Sequence, residues 1–129
     1  MIDEIFEVKM EVRDYECDLQ GIVNNAVYHN YLEHARHQYL LAQGIDFNQL
    51  VKQKIFLVLL KAETDYLHPL KPNEQFIVTV KFITISKLKC ILEQEIIRNN
   101  QLVTKCRITA AAINEHGKPV LLKTIGFSN

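Results

Sequence analysis

Residues 18–40, DLQGIVNNAVYHNYLEHARHQYL, gather polar groups at the start of a helix-like pattern. Asp18 is followed by Gly21 and then by Asn24 and Asn25. A carboxylate can attack an electrophilic carbon directly or deprotonate a water molecule that does so. The first backbone N–H groups of a helix have no partner inside it, and the helix dipole there favours negative charge. The stretch therefore suits attack on a carbonyl by Asp18, as nucleophile or general base, with the carbonyl polarised by the N–H of Asn25 or a neighbour.

Three histidines, His29, His34 and His37, lie in the same stretch. His34 and His37 can share one face of a helix, which permits a pair of metal ligands. No third ligand is evident in the sequence, so we expect surface histidines and no metal.

An amphipathic helix is predicted over about residues 26–42, directly after these polar groups. Apolar residues recur there at steps of three and four, as in a helix that packs on a core. This stripe consists of Tyr28, Tyr31, Leu32, Ala35, Tyr39 and Leu40. Glu33, Arg36 and His37 lie mainly off the stripe. Gly44 is well placed to end the helix.

Strand patterns fill most of the remaining sequence. Residues 5–13 alternate with a two-residue period, and 14–25 is typical of a loop. Residues 46–54 can form a short second helix capped by Asp46 or Asn48. From there to its end the chain is strand-like, with runs at 56–67, 75–86, 89–98, 102–114 and 119–127.

The order of one strand, one long helix and about five strands predicts an α+β fold. Consecutive strands joined by short turns should pair antiparallel. A curved antiparallel sheet of five to six strands wrapped around one long central helix would bury both the helix stripe and one sheet face. We expect a single domain over residues 1–129. Because free sheet edges need protection, we also expect a homodimer or homotetramer.

Composition excludes some classes of function. The chain has 129 residues, a formal net charge of zero and 23% charged residues, which gives no whole-protein argument for binding nucleic acid or membrane. The longest strongly apolar run, residues 55–60, is far shorter than a membrane span. The N-terminus lacks the pattern of a secretory signal. Cys17, Cys90 and Cys106 are odd in number and widely spaced, so we expect reduced thiols in a cytoplasmic protein, with one disulfide as the alternative.

The polar stretch also resembles the motif of a known enzyme family. That motif has an Asp, a Gly three residues later, then Ile or Val, an aromatic residue ten after the Asp and an acidic residue fifteen after it. Here these are Asp18, Gly21, Ile22, Val23, Tyr28 and Glu33. The tail EHAR is similar to the E-x-A-R ending, and a weaker likeness runs through AETDYLHPLKPNEQFIVTV. The chain thus resembles the hotdog-fold acyl-CoA thioesterases, in particular the 4-hydroxybenzoyl-CoA thioesterase-like family.

The resemblance implies a hotdog fold and hydrolysis of an acyl-CoA thioester to a free acid and coenzyme A, with no cofactor. It implies Asp18 as the catalytic carboxylate and points to the backbone N–H of Asn25 as the carbonyl donor. Two residues depart from related patterns. Ile22 replaces the histidine of the G-H-V-N-N version, and Asn25 stands where several bacterial members carry histidine. His29, four positions later, is not taken as a substitute.

Three residues near Asp18 are candidates for the site. Gly21 permits a positive φ and a close approach of the acyl-pantetheine arm, although an ordinary turn glycine is the alternative. Asn24 can orient Asp18 or water, or can simply cap the helix. Tyr28 is a candidate substrate contact that is better suited to core packing.

Four charged residues farther along the chain are weaker candidates for substrate binding. Glu33 either faces the site of a neighbouring subunit or pairs with a basic residue on its own helix. Glu63 is the fallback catalytic carboxylate. Lys87 and Lys89 can bind the phosphates of coenzyme A, with a solvated basic turn as the alternative.

Other functions remain open on this fold. An acyl carrier protein thioester shares the pantetheine arm and is an alternative substrate. A 3-hydroxyacyl dehydratase or hydratase needs a paired acid and base, but neither the D-x-N-x-x-H nor the H-x-x-x-x-P-G signature is present. A non-catalytic acyl-CoA-binding protein is the alternative from a different class.

Overall fold

The computed structural model describes residues 5–127. Its elements in chain order are β1 (Phe6–Glu11), α1 (Asn25–Ala42), α2 (Phe47–Lys52), β2 (Ile55–Tyr66), β3 (Gln75–Thr84), β4 (Lys89–Arg98), β5 (Gln101–Asn114) and β6 (Pro119–Val120). Short 3₁₀ turns lie at Asp14–Glu16 and Leu122–Ile125. The long helix and the first five strands lie where the sequence periodicity predicts them.

The strands form one antiparallel sheet in the order β1-β3-β4-β5-β2, with β6 pairing to β5. Helix α1 packs against one face of this sheet. The sheet residues buried beneath it include Val78, Val80, Leu92, Ile96 and Ile108. Complete burial of an aliphatic side chain of this size contributes about 1.5–3 kcal/mol. The predicted α+β class, with one long helix against a curled antiparallel sheet, is confirmed.

The connection between β2 and β3 departs from the predicted pairing of consecutive strands. Strand β2 pairs with β5, whereas β3 pairs with β1 and β4. Residues 67–74 carry the chain past the start of α1, where Leu70 is fully buried and its carbonyl accepts the N–H of Val23 at 2.9 Å. Pro69 and Pro72 have no N–H to give to a strand ladder. The segment therefore packs against the helix start instead of closing a hairpin.

The C-terminal run 119–127 is not the continuous strand that its apolar pattern predicts. Only Pro119–Val120 pairs with β5, and Leu122–Ile125 forms a 3₁₀ turn that buries Leu122 and Ile125. A straight strand would point alternate side chains into solvent. The turn instead brings this apolar segment onto the end of the core.

The buried stripe of α1 matches the prediction and contains one additional residue. Its predicted apolar members are all buried. Arg36, predicted to lie mainly off the stripe, is only 7% exposed. It is four residues after Leu32 and next to Ala35, so it faces the sheet, where its Nη1 donates to Oε1 of Gln94 at 2.9 Å. The buried guanidinium of Arg36 therefore has a hydrogen-bond acceptor from the sheet, which the sequence pattern did not predict.

Strand β2 lies at one edge of the sheet and is irregular. Its pairing with β5 shifts between Leu59 and Lys61, so Leu60 is an extra residue. Before the shift Leu59 stands opposite the buried Ala110, and after it Ala62 stands opposite the buried Ile108. The side chains facing α1 therefore have odd numbers before the bulge and even numbers after it.

Candidate active site

The loop that precedes α1 is closed by its own backbone hydrogen bonds. Cys17 and Val23 form an isolated antiparallel bridge. The Asp18 N–H donates to the carbonyl of Ile22 at 2.9 Å, and the Gly21 N–H donates to the carbonyl of Asp18 at 3.0 Å. Gly21 has a φ of 77°, as its position in the motif predicts. The loop thus holds Asp18 in a tight turn of fixed path.

The Asp18 side chain lies on the surface of this turn. Its Oδ1 accepts the N–H of Gln20 at 2.8 Å. Within residues 5–127, this is the one hydrogen bond that the carboxylate makes. The second carboxylate oxygen remains accessible to a substrate or a water molecule.

Helix α1 begins at Asn25, next to this loop. Asn24 is its N-cap, and the Asn24 side chain accepts the N–H of Ala26 at 2.9 Å. Asn24 therefore has the capping role that the sequence allows. Asn25 is the first helical residue, so its N–H has no carbonyl partner within the helix. The predicted donor thus lies at the positive end of the helix dipole.

A cavity of about 160 Å³ opens beside the first turn of α1. Its lining consists of Ile22, Val23, Asn25, Tyr28, Tyr66, Leu67, His68 and Pro69. We call it the loop cavity. Asp18 does not line it, but the bond between the Asp18 N–H and the Ile22 carbonyl connects the two. The structure therefore brings Asn25 and Tyr28 to one cavity, whereas Asp18 lies in the adjoining loop, outside the cavity lining.

Tyr28 is a packed core residue that forms part of the loop cavity. It is 2% exposed, and its hydroxyl accepts the N–H of Leu70 at 2.9 Å. Its ring meets those of Tyr31 and Tyr66 edge-on, at centroid distances of 6.3 and 5.6 Å. Burial raises the pKa of Tyr28, which keeps the phenol neutral. Tyr28 is therefore suited to shaping the cavity and not to proton transfer.

Sequence reasoning missed Tyr66 and His68, which reach the loop cavity from the end of β2. The Tyr66 hydroxyl lies 2.9 Å from Nε2 of His29, on the second turn of α1. No local pattern near Asp18 indicates these residues, because the strand that carries them is far away in sequence.

Glu16 and Tyr31 link the loop to the helix. The Tyr31 hydroxyl donates to the Glu16 carboxylate at 2.7 Å, and the Asn24 N–H donates to the Glu16 carbonyl at 3.2 Å. The Arg13 guanidinium lies 3.3 Å from the other Glu16 oxygen. Burial raises the pKa of Tyr31, so its proton stays available to this hydrogen bond. These contacts fix the distance between the loop that carries Asp18 and the start of the helix.

The structure places the remaining predicted residues away from the loop cavity within one chain. Glu63 stands opposite Arg107 on the sheet face that points away from α1, with its carboxylate 3.5 Å from the Lys61 ammonium. Lys87 and Lys89 are exposed at the β3–β4 turn. Their substrate-binding roles stay predictions.

Glu33 is also distant from the loop cavity. It is exposed on α1, roughly 12 Å from Asn25 along the helix axis. It borders a second cavity, between α1 and the sheet. Its predicted role in a neighbouring subunit's site stays a prediction.

The described residues also bear on a membrane span, a metal site and a disulfide. Within residues 5–127, no helix has the length and hydropathy needed to cross a bilayer. The same residues contain no group of three or more His, Cys, Asp or Glu side chains that could hold a metal ion. Cys17, Cys90 and Cys106 are free thiols, and burial raises the pKa of Cys90 to about 11.

The family profile that the chain matches describes thioesterase-like proteins, and two of its relatives are thioesterases by name. The thioesterase-like superfamily profile matches residues 12–124. The chain is 32% identical over 115 residues to the chloroplastic acyl-acyl carrier protein thioesterase ATL2 of Arabidopsis thaliana, covering 88% of this chain and 61% of that protein. It is 25% identical over 117 residues to the acyl-CoA thioesterase YbgC of Haemophilus influenzae, covering 88% of this chain and 85% of that protein.

A solved structure shares the whole architecture. A hypothetical protein from Aquifex aeolicus, 26% identical, superposes with a TM-score of 0.84 and covers 91% of this chain and 92% of its own. This chain spans less than two thirds of the plant relative ATL2 but most of the two bacterial proteins. The family match runs from the end of β1 to the last turn and includes the loop and helix of the candidate site. The chain therefore belongs to the thioesterase-like superfamily and has its hotdog fold.

Proposed function

We propose that the chain is a thioester hydrolase that cleaves acyl-CoA to a free carboxylic acid and coenzyme A. One observation carries the proposal: the closed loop with the exposed Asp18 leads directly into α1, and Asn25, whose N–H has no partner within the helix, lines a cavity there. A carboxylate and a helix-terminal donor are the two groups that attack on a thioester carbonyl requires. The loop cavity accommodates the group that carries the carbonyl.

The reaction can follow two routes from this arrangement, with Asp18 as the nucleophile or as the general base. In the first, an Asp18 oxygen bonds to the thioester carbon, the C–S bond breaks, and water then hydrolyses the mixed anhydride. In the second, Asp18 takes a proton from water, whose oxygen bonds to the same carbon, and the proton goes to the departing thiolate. In both routes the Asn25 N–H stabilises the developing oxyanion, and losing one such donor typically costs about 3 kcal/mol.

Acyl carrier protein is a second candidate, besides coenzyme A, for the thiol that carries the acyl group. ATL2, the plant relative, is by name an acyl-acyl carrier protein thioesterase, and YbgC is by name an acyl-CoA thioesterase. Both carriers present the acyl group on a pantetheine arm, which is the part that a site at the helix start would meet. An acyl carrier protein thioester is therefore the alternative substrate for the same chemistry.

A panel of acyl-CoA and acyl carrier protein thioesters, read by release of free thiol, tests the function. We expect turnover of acyl-CoA thioesters. Release only from the carrier protein thioesters would select the alternative substrate. No release from any member of the panel would contradict the proposal.

Substitution of Asp18 tests the mechanism. Asp18→Asn should lower kcat/KM by about 10²- to 10⁴-fold, the usual contribution of a group that transfers a proton in the transition state. Asp65→Asn is the matched control, because Asp65 is exposed on the sheet face that points away from α1. Equal turnover by both variants, with both folded, would remove Asp18 from the mechanism.

We also propose that two copies of the chain associate through the free edge of β2. This edge and the residue after it expose several large apolar side chains, namely Phe56, Leu59, Leu60, Tyr66 and Leu67. A strand edge with exposed apolar side chains is a template for pairing with another chain. A second copy would protect this edge and extend the sheet across the pair.

A further inference from the structure

Arg36 is a charged residue in the interior of the protein. It lies midway along α1 and is 7% exposed. Its Nη1 donates to Oε1 of Gln94 at 2.9 Å, and the Gln94 Nε2 in turn donates to the carbonyl of Leu32 at 2.9 Å. Gln94 is 1% exposed, so the whole chain of hydrogen bonds is buried. The guanidinium is therefore held in one position by a neutral amide.

This arrangement leaves most of the hydrogen-bonding capacity of the guanidinium unused. The group carries several N–H donors and no acceptor. Within residues 5–127, its one hydrogen bond goes to Gln94, and no carboxylate lies within 4.0 Å of it. Burial of a charge is costly unless the charge is paired and hydrogen-bonded. An external oxygen acceptor would offset part of this cost.

Arg36 lines a cavity of about 130 Å³ between α1 and the sheet, which we call the Arg36 cavity. The apolar part of its lining includes Leu40, Phe47, Leu57, Leu59, Leu92 and Phe127. In the described chain, the side-chain polar atoms that are fully buried without a partner are the hydroxyls of Thr84 and Thr104. The guanidinium nitrogens without a partner are not among these sealed atoms, so they keep some accessible surface, and the cavity that Arg36 lines is the space beside the residue.

The shape and chemistry of the Arg36 cavity are those of a subsite for part of a small molecule. Ligand sites are concave and mostly apolar, with a few polar groups that converge on the ligand. The volume is similar to that of a cavity of about 150 Å³ that holds benzene, so the space fits roughly six non-hydrogen atoms. Glu33 and His37 also border the cavity, but both are exposed.

We propose that Arg36 determines acyl specificity by binding an acceptor oxygen, such as a carboxylate or hydroxyl, on the distal part of the acyl chain. This inference rests on the proposed thioesterase function. Arg36 is roughly 16 Å from Asn25 along the helix axis, which suits the far end of an extended acyl chain and not its thioester carbonyl. The apolar lining holds the methylene groups, and the guanidinium holds the oxygen.

Three variants separate this role from others. Arg36→Met removes the donors and keeps an apolar stem, although it leaves the buried Oε1 of Gln94 without its partner and so costs some stability. Gln94→Glu keeps an acceptor for Arg36 but places a negative charge beside it, so the guanidinium attracts a second carboxylate less strongly. Arg107→Met is the matched control, because Arg107 is exposed on the opposite face of the sheet.

The measurement is kcat/KM for sets of acyl-CoA thioesters of equal chain length, at several lengths, that end in a carboxylate, a hydroxyl or a methyl group. The wild type and Arg107→Met should prefer an oxygen-bearing end over the methyl end by about ten- to a hundredfold at the length that reaches the cavity, as expected for hydrogen bonds to a charged group. In Arg36→Met this ratio should fall to about one. In Gln94→Glu the preference for the carboxylate end should fall.

Each contrary result has its own meaning. Release of thiol by the wild type with equal kcat/KM for all three ends would overturn the Arg36 inference and leave the thioesterase function intact. No release from any thioester would overturn both. If Arg36→Met fails to fold, the Gln94→Glu variant alone tests the inference, through its ratio of kcat/KM for the carboxylate end to kcat/KM for the methyl end. A shift of Arg36→Met from dimer to monomer in sedimentation, with the ratio unchanged, would assign Arg36 to a contact with a second copy instead.

Discussion

Gly21 and Gly117 are two glycines in the same backbone conformation, one in the Asp18 turn and one far from it. Their φ angles are 77° and 75°, and at both a Cβ would meet no described atom within 4 Å. Substitution by alanine should lower the free energy of unfolding by a similar amount at each, about 1–2 kcal/mol, because L residues are strained in this conformation. Only Gly21→Ala should also lower kcat/KM, since its turn holds Asp18.

Chemical denaturation and thiol release measure the two effects. Equal activity of the folded Gly21→Ala and Gly117→Ala variants would mean that the path of the Asp18 turn does not affect turnover.

Single residues were predictable where a local motif places them and not where a distant strand does. The turn conformation of Gly21 and the capping position of Asn24 follow from the residues around them. The burial of Arg36 depends on Gln94, which comes from β4. Tyr66 likewise reaches the loop cavity only through the tertiary fold.

The first turn of α1 can be tested as an element. Asn24→Ala removes the side-chain acceptor for the Ala26 N–H and should cost about 1 kcal/mol of stability. It should also lower the kcat/KM of the folded protein, because the Asn25 N–H would no longer be held in place. Asn24→Ser retains a capping oxygen and should restore both properties.

Thermal unfolding and steady-state kinetics on the two Asn24 variants provide the comparison. If Asn24→Ala loses stability but keeps full kcat/KM, the fixed start of the helix is not needed for catalysis.

Elements were predictable where apolar residues repeat with a clear period. The period of α1 and the alternation in β3 each identify one buried face, so their bounds agree closely with the sequence. Residues 119–127 are apolar enough for a strand. At the end of the core, however, a turn over Leu122–Ile125 buries the apolar side chains better than a strand would. Composition alone does not distinguish these two outcomes.

The proposed dimer can be tested by placing a charge on the free edge of β2. Leu60 and Ile85 are equally exposed, at 50% and 52%, but Leu60 lies on the free β2 edge and Ile85 on the β3–β4 turn. Leu60→Lys should shift the dimer toward monomer, because it places a charge in the interface. Ile85→Lys should leave the association unchanged.

Sedimentation at micromolar concentration distinguishes these states. A wild-type monomer would contradict the proposed dimer, and equal dimerisation of both variants would place the interface elsewhere.

The order of the elements along the chain predicts the fold class, but it does not predict the order of the strands in the sheet. Local turns suggest that β2 and β3 are neighbours, yet the connection of residues 67–74 separates them because Leu70 packs against the start of α1. The single domain over residues 1–129 and the cytoplasmic location remain predictions.

The bulge at Leu60 also bears on how this chain should be aligned with its relatives. Because Leu60 is the one residue of β2 without its own partner in the pairing with β5, its loss would leave Leu59 and Ala62 facing the helix as before. A relative with a regular strand here would thus be one residue shorter. Its alignment gap belongs at Leu60, and a gap placed several residues later would match the outward Glu63 to a position that faces the core.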